Sequence, residues 1–348
     1  MHRTEIPADL LERFRQGTVI PANPLALNAD RQLDRRRQRA LTRYYIDAGV
    51  GGLAVGVHTT QFAIRDIGLY EPVLRLAAET ARDWSTSETL LVAGAIGKTE
   101  QALGEAITAR RLGYHAVLLG LAAFKTETED AIIAHCRAIA DEMPLIGFYL
   151  QTAVGGRLLS AAFWEAFARI DNVIGIKIAP FNRYCTLDVI RGVAAAGAAE
   201  RVTLYTGNDD HIVLDLVVPF RTEFGDMHIA GGLLGHWSVW TKGAVELFER
   251  CRKARGGPTI DTELLALDSA VTDCNSAFFD VANNFEGVIA GCHEVLRRQG
   301  LLEGRWCIDP DEDLGVGQSA EIDRVYRTYP ELSDDAFIAA NLDRWLAD

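Results

Sequence analysis

One lysine interrupts a stretch that the sequence predicts to be a buried strand. Lys177 lies in NVIGIKIAP. Apart from one asparagine, the other residues of this segment are aliphatic residues, glycine or proline. Burial in an apolar wall disfavours an ammonium ion and lowers the pKa of a lysine. A neutral amine attacks carbonyl carbons, so Lys177 is the candidate nucleophile for a Schiff base. The structural alternative is a lysine that is paired with a carboxylate and has no chemical part.

A tyrosine in the preceding apolar segment is the second candidate. LIGFYL at 145–150 places Tyr149 near the same end of the predicted sheet. A phenol there can pass a proton to or from a carbinolamine oxygen, so we predict that Tyr149 is a proton relay. The alternative is a core tyrosine whose hydroxyl is satisfied by a local hydrogen bond.

Eight short apolar segments must position these residues. They begin near 18, 52, 90, 116, 145, 173, 202 and 226, and amphipathic stretches with helical spacing separate them. A repeat of about 30 residues is typical of a βαβ unit, and eight units close a TIM barrel. We predict an α/β fold, a (β/α)8 TIM barrel over 1–255 with a C-terminal helical extension over 256–348. A doubly wound sheet is less favoured, because PANPLALN after the first segment is not a glycine-rich phosphate turn.

Composition narrows the partners. The 348 residues carry a net charge of −13, which argues against nucleic acid or an anionic membrane surface as a partner. Six scattered cysteines lack a CxxC pair, so we expect reduced, mostly buried thiols and a cytoplasmic location. The longest apolar stretch, AVLLGLAAF at 116–124, is too short to span a bilayer. The basic run in LDRRRQRA is expected to be a solvated helix face.

Five segments carry a resemblance to a known family. GVHTTQF at 56–62, FYLQTAVGG at 148–156, NVIGIKIA at 172–179, YTGNDD at 205–210 and IAGGLLG at 229–235 follow one another in the family's order. The chain resembles the dihydrodipicolinate synthase/N-acetylneuraminate lyase family of class I aldolases. The resemblance implies that Lys177 forms an imine with a 2-oxo acid, usually pyruvate, with Tyr149 as proton relay. It also implies a homotetramer or dimer and no cofactor.

The resemblance also implies which residues hold the substrate. The family binds the 2-oxo carboxylate with a GTTGE-like turn, which here reads HTTQF, so Thr59 and Thr60 are the expected carboxylate binders. Simple turn chemistry is the alternative for both threonines. In GNDD, Gly207, Asp209 and Asp210 match a turn that accepts hydrogen bonds from sugar hydroxyls. A helix N-cap formed by Asp209 or Asp210 is an equal alternative.

Two departures from the family pattern limit the expected function. Phe124 stands where the family usually has a tyrosine pair, and Val154 stands where the synthases have an arginine for a second carboxylate. An apolar valine cannot pair with a carboxylate, which argues against dihydrodipicolinate synthase itself. His58 has no predicted role. His58, His228 and His236 lack the close spacing of a metal site, so no metal is expected.

We therefore expect a Schiff-base-forming lyase or aldolase acting on a small-molecule 2-oxo acid, with a compound derived from a sugar acid as one candidate. Two alternatives stay open at this point. One is a hydro-lyase that dehydrates a deoxy-keto-sugar acid through the same imine, and the other is a non-catalytic 2-oxo-acid binding protein. The missing tyrosine pair motivates the second alternative.

Overall fold

A computed structural model describes residues 1–347. Its strands are β1 Val19–Pro21, β2 Gly52–Val55, β3 Leu90–Ala95, β4 Ala116–Gly120, β5 Leu145–Leu150, β6 Val173–Ala179, β7 Thr203–Thr206, β8 Phe220–Thr222, β9 Gly225–Met227 and β10 Ile229–Leu234. Eight of them form one parallel sheet in the order β1-β10-β7-β6-β5-β4-β3-β2. The two edges meet through a parallel bridge between Ala22 and Ala54, which closes the ring. The predicted (β/α)8 TIM barrel is confirmed.

Helices surround the barrel and continue beyond it. They are α1 Ala8–Gln16, α2 Arg35–Ala48, α3 Tyr70–Trp84, α4 Thr99–Arg111, α5 Glu129–Ala140, α6 Ala161–Ala168, α7 Arg183–Ala195, α8 Ile212–Val217, α9 Thr241–Arg255, α10 Thr262–Phe278, α11 Val288–Arg298, α12 Gln318–Thr328 and α13 Asp335–Leu346. Helices α10 to α13 make up the predicted C-terminal extension. The division of the chain at 255/256 stays a prediction.

Two separate hydrophobic cores follow from the alternation of side chains along each strand. The inner core fills the barrel and includes Phe14 of α1, whose ring stacks on Tyr205 at a centroid distance of 4.6 Å. The outer core lies between strands and helices and continues into the C-terminal helices. Helix α1 therefore closes the amino-terminal end of the barrel, and the carboxyl-terminal end stays open for a site.

Two local predictions need correction. The segment beginning at 226 was expected to be one strand, but Gly225–Met227 pairs antiparallel with β8 and only Ile229–Leu234 joins the barrel. The basic run at the start of α2 is not simply solvated. Arg36 and Arg37 donate to the carbonyl oxygens of Leu346 and Gly300, at 2.7 Å and 2.6 Å, and so attach the C-terminal extension to the barrel.

The cysteines and the helices agree with two expectations drawn from the composition, namely buried thiols and the lack of a segment that spans a bilayer. All six cysteines are buried and none forms a disulfide among residues 1–347. Within the same residues, every helix falls short of the length or the apolar content that crossing a membrane requires.

Candidate active site

A cavity opens at the carboxyl end of the barrel, in front of Lys177. The empty space in it, counted together with the solvent at its opening, is about 560 Å³. Lys177 is buried on β6, between Phe148 of β5 and Tyr205 of β7 in the strand register. Gly207, directly after β7, leaves room for the lysine, since a Cβ there would lie 2.7 Å from Lys177 Cε. The structure thus places Lys177 and Gly207, both of them predicted site residues, side by side in one cavity.

The surroundings of Lys177 disfavour its ammonium form relative to a lysine in water. Burial lowers the pKa of Lys177 to about 8, and the negative charge of Asp209 partly opposes this effect. Within residues 1–347, no carboxylate oxygen forms an ion pair with Lys177 Nζ inside 4.0 Å. The nitrogen instead lies 4.3 Å from the centroid of the Phe148 ring. The structural alternative of a carboxylate-paired lysine therefore lacks its partner.

Asp209 is the acidic group of the cavity. The side chain is 5% exposed, and its Oδ1 accepts a hydrogen bond from the backbone N–H of His236 at 3.3 Å. Burial raises the pKa of Asp209 to about 7, although the Lys177 ammonium acts in the opposite direction. A carboxyl group with this pKa gives up and takes back protons at neutral pH. The N-cap alternative is wrong for Asp209, because α8 begins after His211 with no side-chain cap.

Asp210 and Tyr149 do not reach the cavity. Asp210 is absent from the lining and has a buried Oδ1 without a hydrogen-bond partner among the described residues. Tyr149 points to the outer core, where its ring packs on Trp164 and its hydroxyl accepts from the Leu159 N–H at 3.2 Å. Because neighbouring residues of a strand face opposite sides, Phe148 enters the cavity in its place. We therefore do not retain Tyr149 as a proton relay or Asp210 as a substrate contact.

The two adjacent threonines are used differently. Thr59 lines the cavity, so it remains the candidate carboxylate binder. Thr60 is fully buried; its hydroxyl donates to the Asn23 carbonyl at 2.6 Å and accepts from the Gly56 N–H at 3.0 Å. These bonds tie the loop after β2 to the loop after β1. For Thr60 the structure therefore gives the turn-chemistry alternative, and Thr60 is not retained as a carboxylate binder.

His58 lies in the cavity wall beside Thr59. Burial and the nearby Lys177 charge lower the pKa of His58 to about 4, so the imidazole is neutral at physiological pH. Its ring packs against Phe62 at a centroid distance of 5.6 Å. A neutral imidazole adds a polar edge to the cavity without adding charge.

The two departures from the family pattern lie in different places. Val154 lines the cavity, so the position at which the synthases were expected to have an arginine presents an apolar side chain here. Phe124 lies outside the lining and packs on His135 at a centroid distance of 4.5 Å. The three histidines considered for a metal do not converge, and residues 1–347 contain no group of three or more His, Cys, Asp or Glu that could hold a metal.

Four further apolar residues that were not predicted also line the cavity. They are Phe279 and Phe285, between α10 and α11, Val288 at the start of α11, and Phe181 after β6. The alternation of side chains along β5 indicates that either Phe148 or Tyr149 faces the cavity. Which of the two does so depends on how the strand is rotated within the barrel. The segment 279–287 between α10 and α11 reaches the cavity through packing between distant parts of the chain, which a local pattern cannot show.

The chain is similar in sequence and in structure to known proteins. A family model described as the dihydrodipicolinate synthetase family matches residues 16–220. A 4-hydroxy-tetrahydrodipicolinate synthase from Persephonella marina is 26% identical over 156 residues, 44% of this chain and 52% of that protein, so the match spans about half of the relative's length.

Two further comparisons extend over more of the chain. N-acetylneuraminate lyase 2 from Escherichia coli is 22% identical over 298 residues, 84% of this chain and 87% of that protein. The crystal structure of N-acetylneuraminate lyase from Fusobacterium nucleatum complexed with pyruvate shares 18% identity, covers 90% of this chain and 97% of its own, and has a TM-score of 0.71. The structural likeness concerns the fold. With more than half of its length matched by the family model, the chain belongs to the dihydrodipicolinate synthetase family.

Proposed function

We propose that this protein is a carbon–carbon lyase of the aldolase type that forms a Schiff base between Lys177 and a pyruvate-type 2-oxo acid. One observation carries the proposal: the Lys177 amine is buried, has a pKa lowered to about 8, and faces a cavity without a close ion pair. The pyruvate complex of the Fusobacterium nucleatum lyase supports a 2-oxo acid of this size. The family relationship supports the reaction class.

The imine step needs one nucleophile and one acid. The neutral Lys177 amine adds to the C2 carbonyl of the 2-oxo acid and gives a carbinolamine. The carbinolamine hydroxyl leaves as water after it takes a proton from Asp209, the only carboxyl group among the described residues that line the cavity. Asp209 suits this step because its raised pKa keeps part of the population protonated at neutral pH.

The iminium then acts as an electron sink. The Asp209 carboxylate left by the previous step takes a proton from C3, or from the C4 hydroxyl group of a 4-hydroxy-2-oxo acid when the C3–C4 bond breaks and an aldehyde leaves. The freed electron pair forms the C2=C3 double bond, and the C2=N π electrons return to nitrogen, which gives a neutral enamine. The carboxylate group of the 2-oxo acid requires hydrogen-bond donors, and the Thr59 hydroxyl lies in the lining to supply one. Asp209 thus replaces the phenol that the sequence analysis assigned to Tyr149.

Two experiments test the imine. Incubation with pyruvate and borohydride should add a reduced adduct to the intact mass, and peptide mapping should locate it on Lys177. In deuterium oxide, the wild-type protein should also exchange the methyl protons of pyruvate, which proton NMR detects. Lys177→Met should do neither. Its matched control is Lys125→Met, at an exposed lysine, which should behave like the wild-type protein.

Failure to form an adduct with pyruvate, 2-oxobutanoate or 2-oxoglutarate would remove the proposal. An adduct without methyl exchange would instead favour the 2-oxo-acid binding protein. The expectation of a tetramer or dimer remains a prediction.

A further inference from the structure

Apolar side chains from outside the barrel strands line the same cavity as Lys177, and we call them the apolar cap. They are Phe181, in the loop after β6, and Phe279, Phe285 and Val288 of the C-terminal extension. Phe148, Leu150 and Val154 continue the apolar surface along the β5 side. The part of the cavity beyond the imine site is therefore walled mainly by phenyl and aliphatic groups.

Two phenylalanines of the cap are held in a backbone conformation that such residues rarely adopt. Phe181 has φ 49° and Phe285 has φ 68°, both in the left-handed region. Their rings, from distant parts of the chain, meet edge to face at a centroid distance of 5.9 Å. Strain of this kind persists where the surroundings enforce it, and it concentrates at ligand sites.

Hydrogen bonds hold both sides of the cap in place. The Phe181 N–H donates to Asn208 Oδ1 at 3.2 Å, which fixes the loop after β6 to the loop after β7. On the other side, Gln318 Nε2 donates to the carbonyl oxygens of Phe278 and Gly287, at 3.2 Å and 3.1 Å. The ends of the segment that carries Phe279 and Phe285 are therefore anchored to α12.

Few polar side chains line the cavity. They are the side chains of Lys177, Asp209, His58, Thr59 and Gln151, and no arginine occurs in the lining among residues 1–347. A sugar chain placed under the cap would lose water from its hydroxyl groups without regaining hydrogen bonds, which is unfavourable. A second carboxylate would be buried without a cationic partner.

We propose that the apolar cap selects an apolar aldehyde, aromatic or branched alkyl, as the reactant that joins or leaves C3 of the 2-oxo acid. This inference rests on the proposed imine chemistry and replaces the expected sugar-derived substrate. Gly207 lines the cavity beside the Lys177 side chain.

The addition step needs only Lys177, Asp209 and water. Enamine C3 attacks the aldehyde carbon, the C=O π bond breaks, and the aldehyde oxygen takes a proton from Asp209. Water then hydrolyses the iminium, which releases a 4-hydroxy-2-oxo acid and restores the Lys177 amine. The reverse sequence cleaves the same bond and releases the aldehyde.

The first test measures pyruvate-dependent consumption of four aldehydes by the wild-type protein. Benzaldehyde and 3-methylbutanal represent the apolar class, glyceraldehyde a hydroxylated one and succinate semialdehyde an anionic one. We expect kcat/KM for the apolar aldehydes to exceed that for the other two by at least about tenfold. Equal or better use of glyceraldehyde or succinate semialdehyde would overturn the inference.

The second test changes the cap without disturbing its backbone. Asparagine tolerates the left-handed conformation better than phenylalanine, so Phe285→Asn and Phe181→Asn should keep the fold while adding a polar group. Each variant should lower the ratio of kcat/KM for benzaldehyde to that for glyceraldehyde by about tenfold. Phe224→Asn, at an exposed phenylalanine of the β8–β9 hairpin, is the matched control and should leave the ratio unchanged.

A binding measurement separates this inference from the imine proposal. Benzyl alcohol, which cannot form an imine, should show saturation-transfer NMR signals with the wild-type protein and weaker ones with Phe285→Asn. Glycerol should show none. If pyruvate methyl exchange fails but benzyl alcohol binds in this way, the imine proposal falls and the apolar subsite stands. If exchange succeeds and benzyl alcohol binds no better than glycerol, the apolar subsite is wrong.

Discussion

The barrel wall and the apolar cap face each other across one cavity, and they differ in origin and chemistry. The wall is built from the carboxyl ends of parallel strands and presents Lys177 and Asp209, two titratable groups with shifted pKa values. The cap comes largely from the loop before α11 and presents phenyl rings on a partly left-handed backbone. The wall carries a reaction common to many substrates, whereas the cap limits which second reactant fits.

This difference separates two kinds of variant. A change in the wall should lower the rate with every aldehyde by the same factor, because all of them react with one enamine. A change in the cap should alter the ratio between aldehydes. Variants of the wall, and of residues that lie beside it without taking part in the reaction, test the first half of this comparison.

The largest effect is expected from Lys177→Met. Methionine fills the same volume without an amine, so methyl exchange of pyruvate and aldehyde consumption should fall by at least about 1,000-fold. The free energy of unfolding should not decrease, because the variant removes a buried cation that has no close ion pair. Residual exchange above one per cent of the wild-type rate, measured by NMR, would place the nucleophile elsewhere.

Asp209→Asn should lower methyl exchange by about 100-fold, the usual size of general acid–base assistance. Asparagine keeps an Oδ1 acceptor for the His236 N–H, so the fold should be unchanged in thermal unfolding. A fall of less than threefold would show that Asp209 does not transfer the proton.

The pH profile sharpens this prediction. The reactive state of the wild-type pair has a neutral amine and a protonated carboxyl group, one proton in total. Because the pKa values are about 7 for Asp209 and about 8 for Lys177, exchange should rise through about pH 7 and decline above about pH 8. In Asp209→Asn the decline should disappear, and the single rise should lie below pH 8, since the carboxylate no longer raises the pKa of Lys177.

Thr59→Val and Thr60→Val should separate binding from folding. Loss of the Thr59 hydroxyl should raise KM for pyruvate by about tenfold, with little change in unfolding free energy. Loss of the Thr60 hydroxyl leaves the buried Gly56 N–H and Asn23 carbonyl without a partner, which should cost about 1–3 kcal/mol of stability. Kinetics and urea unfolding of both variants measure the two effects, and the reverse pattern would contradict the assignment.

The smallest catalytic effect is expected from Tyr149→Phe. The Tyr149 hydroxyl lies in the outer core, so methyl exchange should stay within about twofold of the wild-type rate. Stability should fall by about 1 kcal/mol, because the Leu159 N–H loses an acceptor. A large loss of exchange in a stably folded variant would restore Tyr149 as the proton relay.

Several features could be predicted from the sequence because they depend on local patterns. The spacing of the apolar segments indicates eight βα units, and a lone lysine in one segment indicates the amine. Gly207 and Asp209 were expected from the family resemblance of GNDD, as contacts for sugar hydroxyl groups and with an N-cap as an equal alternative for Asp209. Their position in the same cavity as Lys177 follows from the parallel strands, whose carboxyl ends meet at one end of the barrel.

Other features required the tertiary structure. The choice between Phe148 and Tyr149 depends on the phase of β5 relative to the barrel axis, since a shift of one residue reverses the face. The antiparallel β8–β9 pair and the separate uses of Thr59 and Thr60 also depend on contacts beyond the local pattern.

The periodicity of the chain was enough to predict the barrel and the buried amine, because the spacing of apolar segments and a lysine inside one of them are local properties. The aromatic residue that faces the amine, the proximity of Asp209 and the residues of the apolar cap depend on contacts between distant segments, so they required the folded structure. The cap joins Phe181 to Phe285 across about a hundred residues of chain, and such contacts follow from the packing of the C-terminal helices on the barrel.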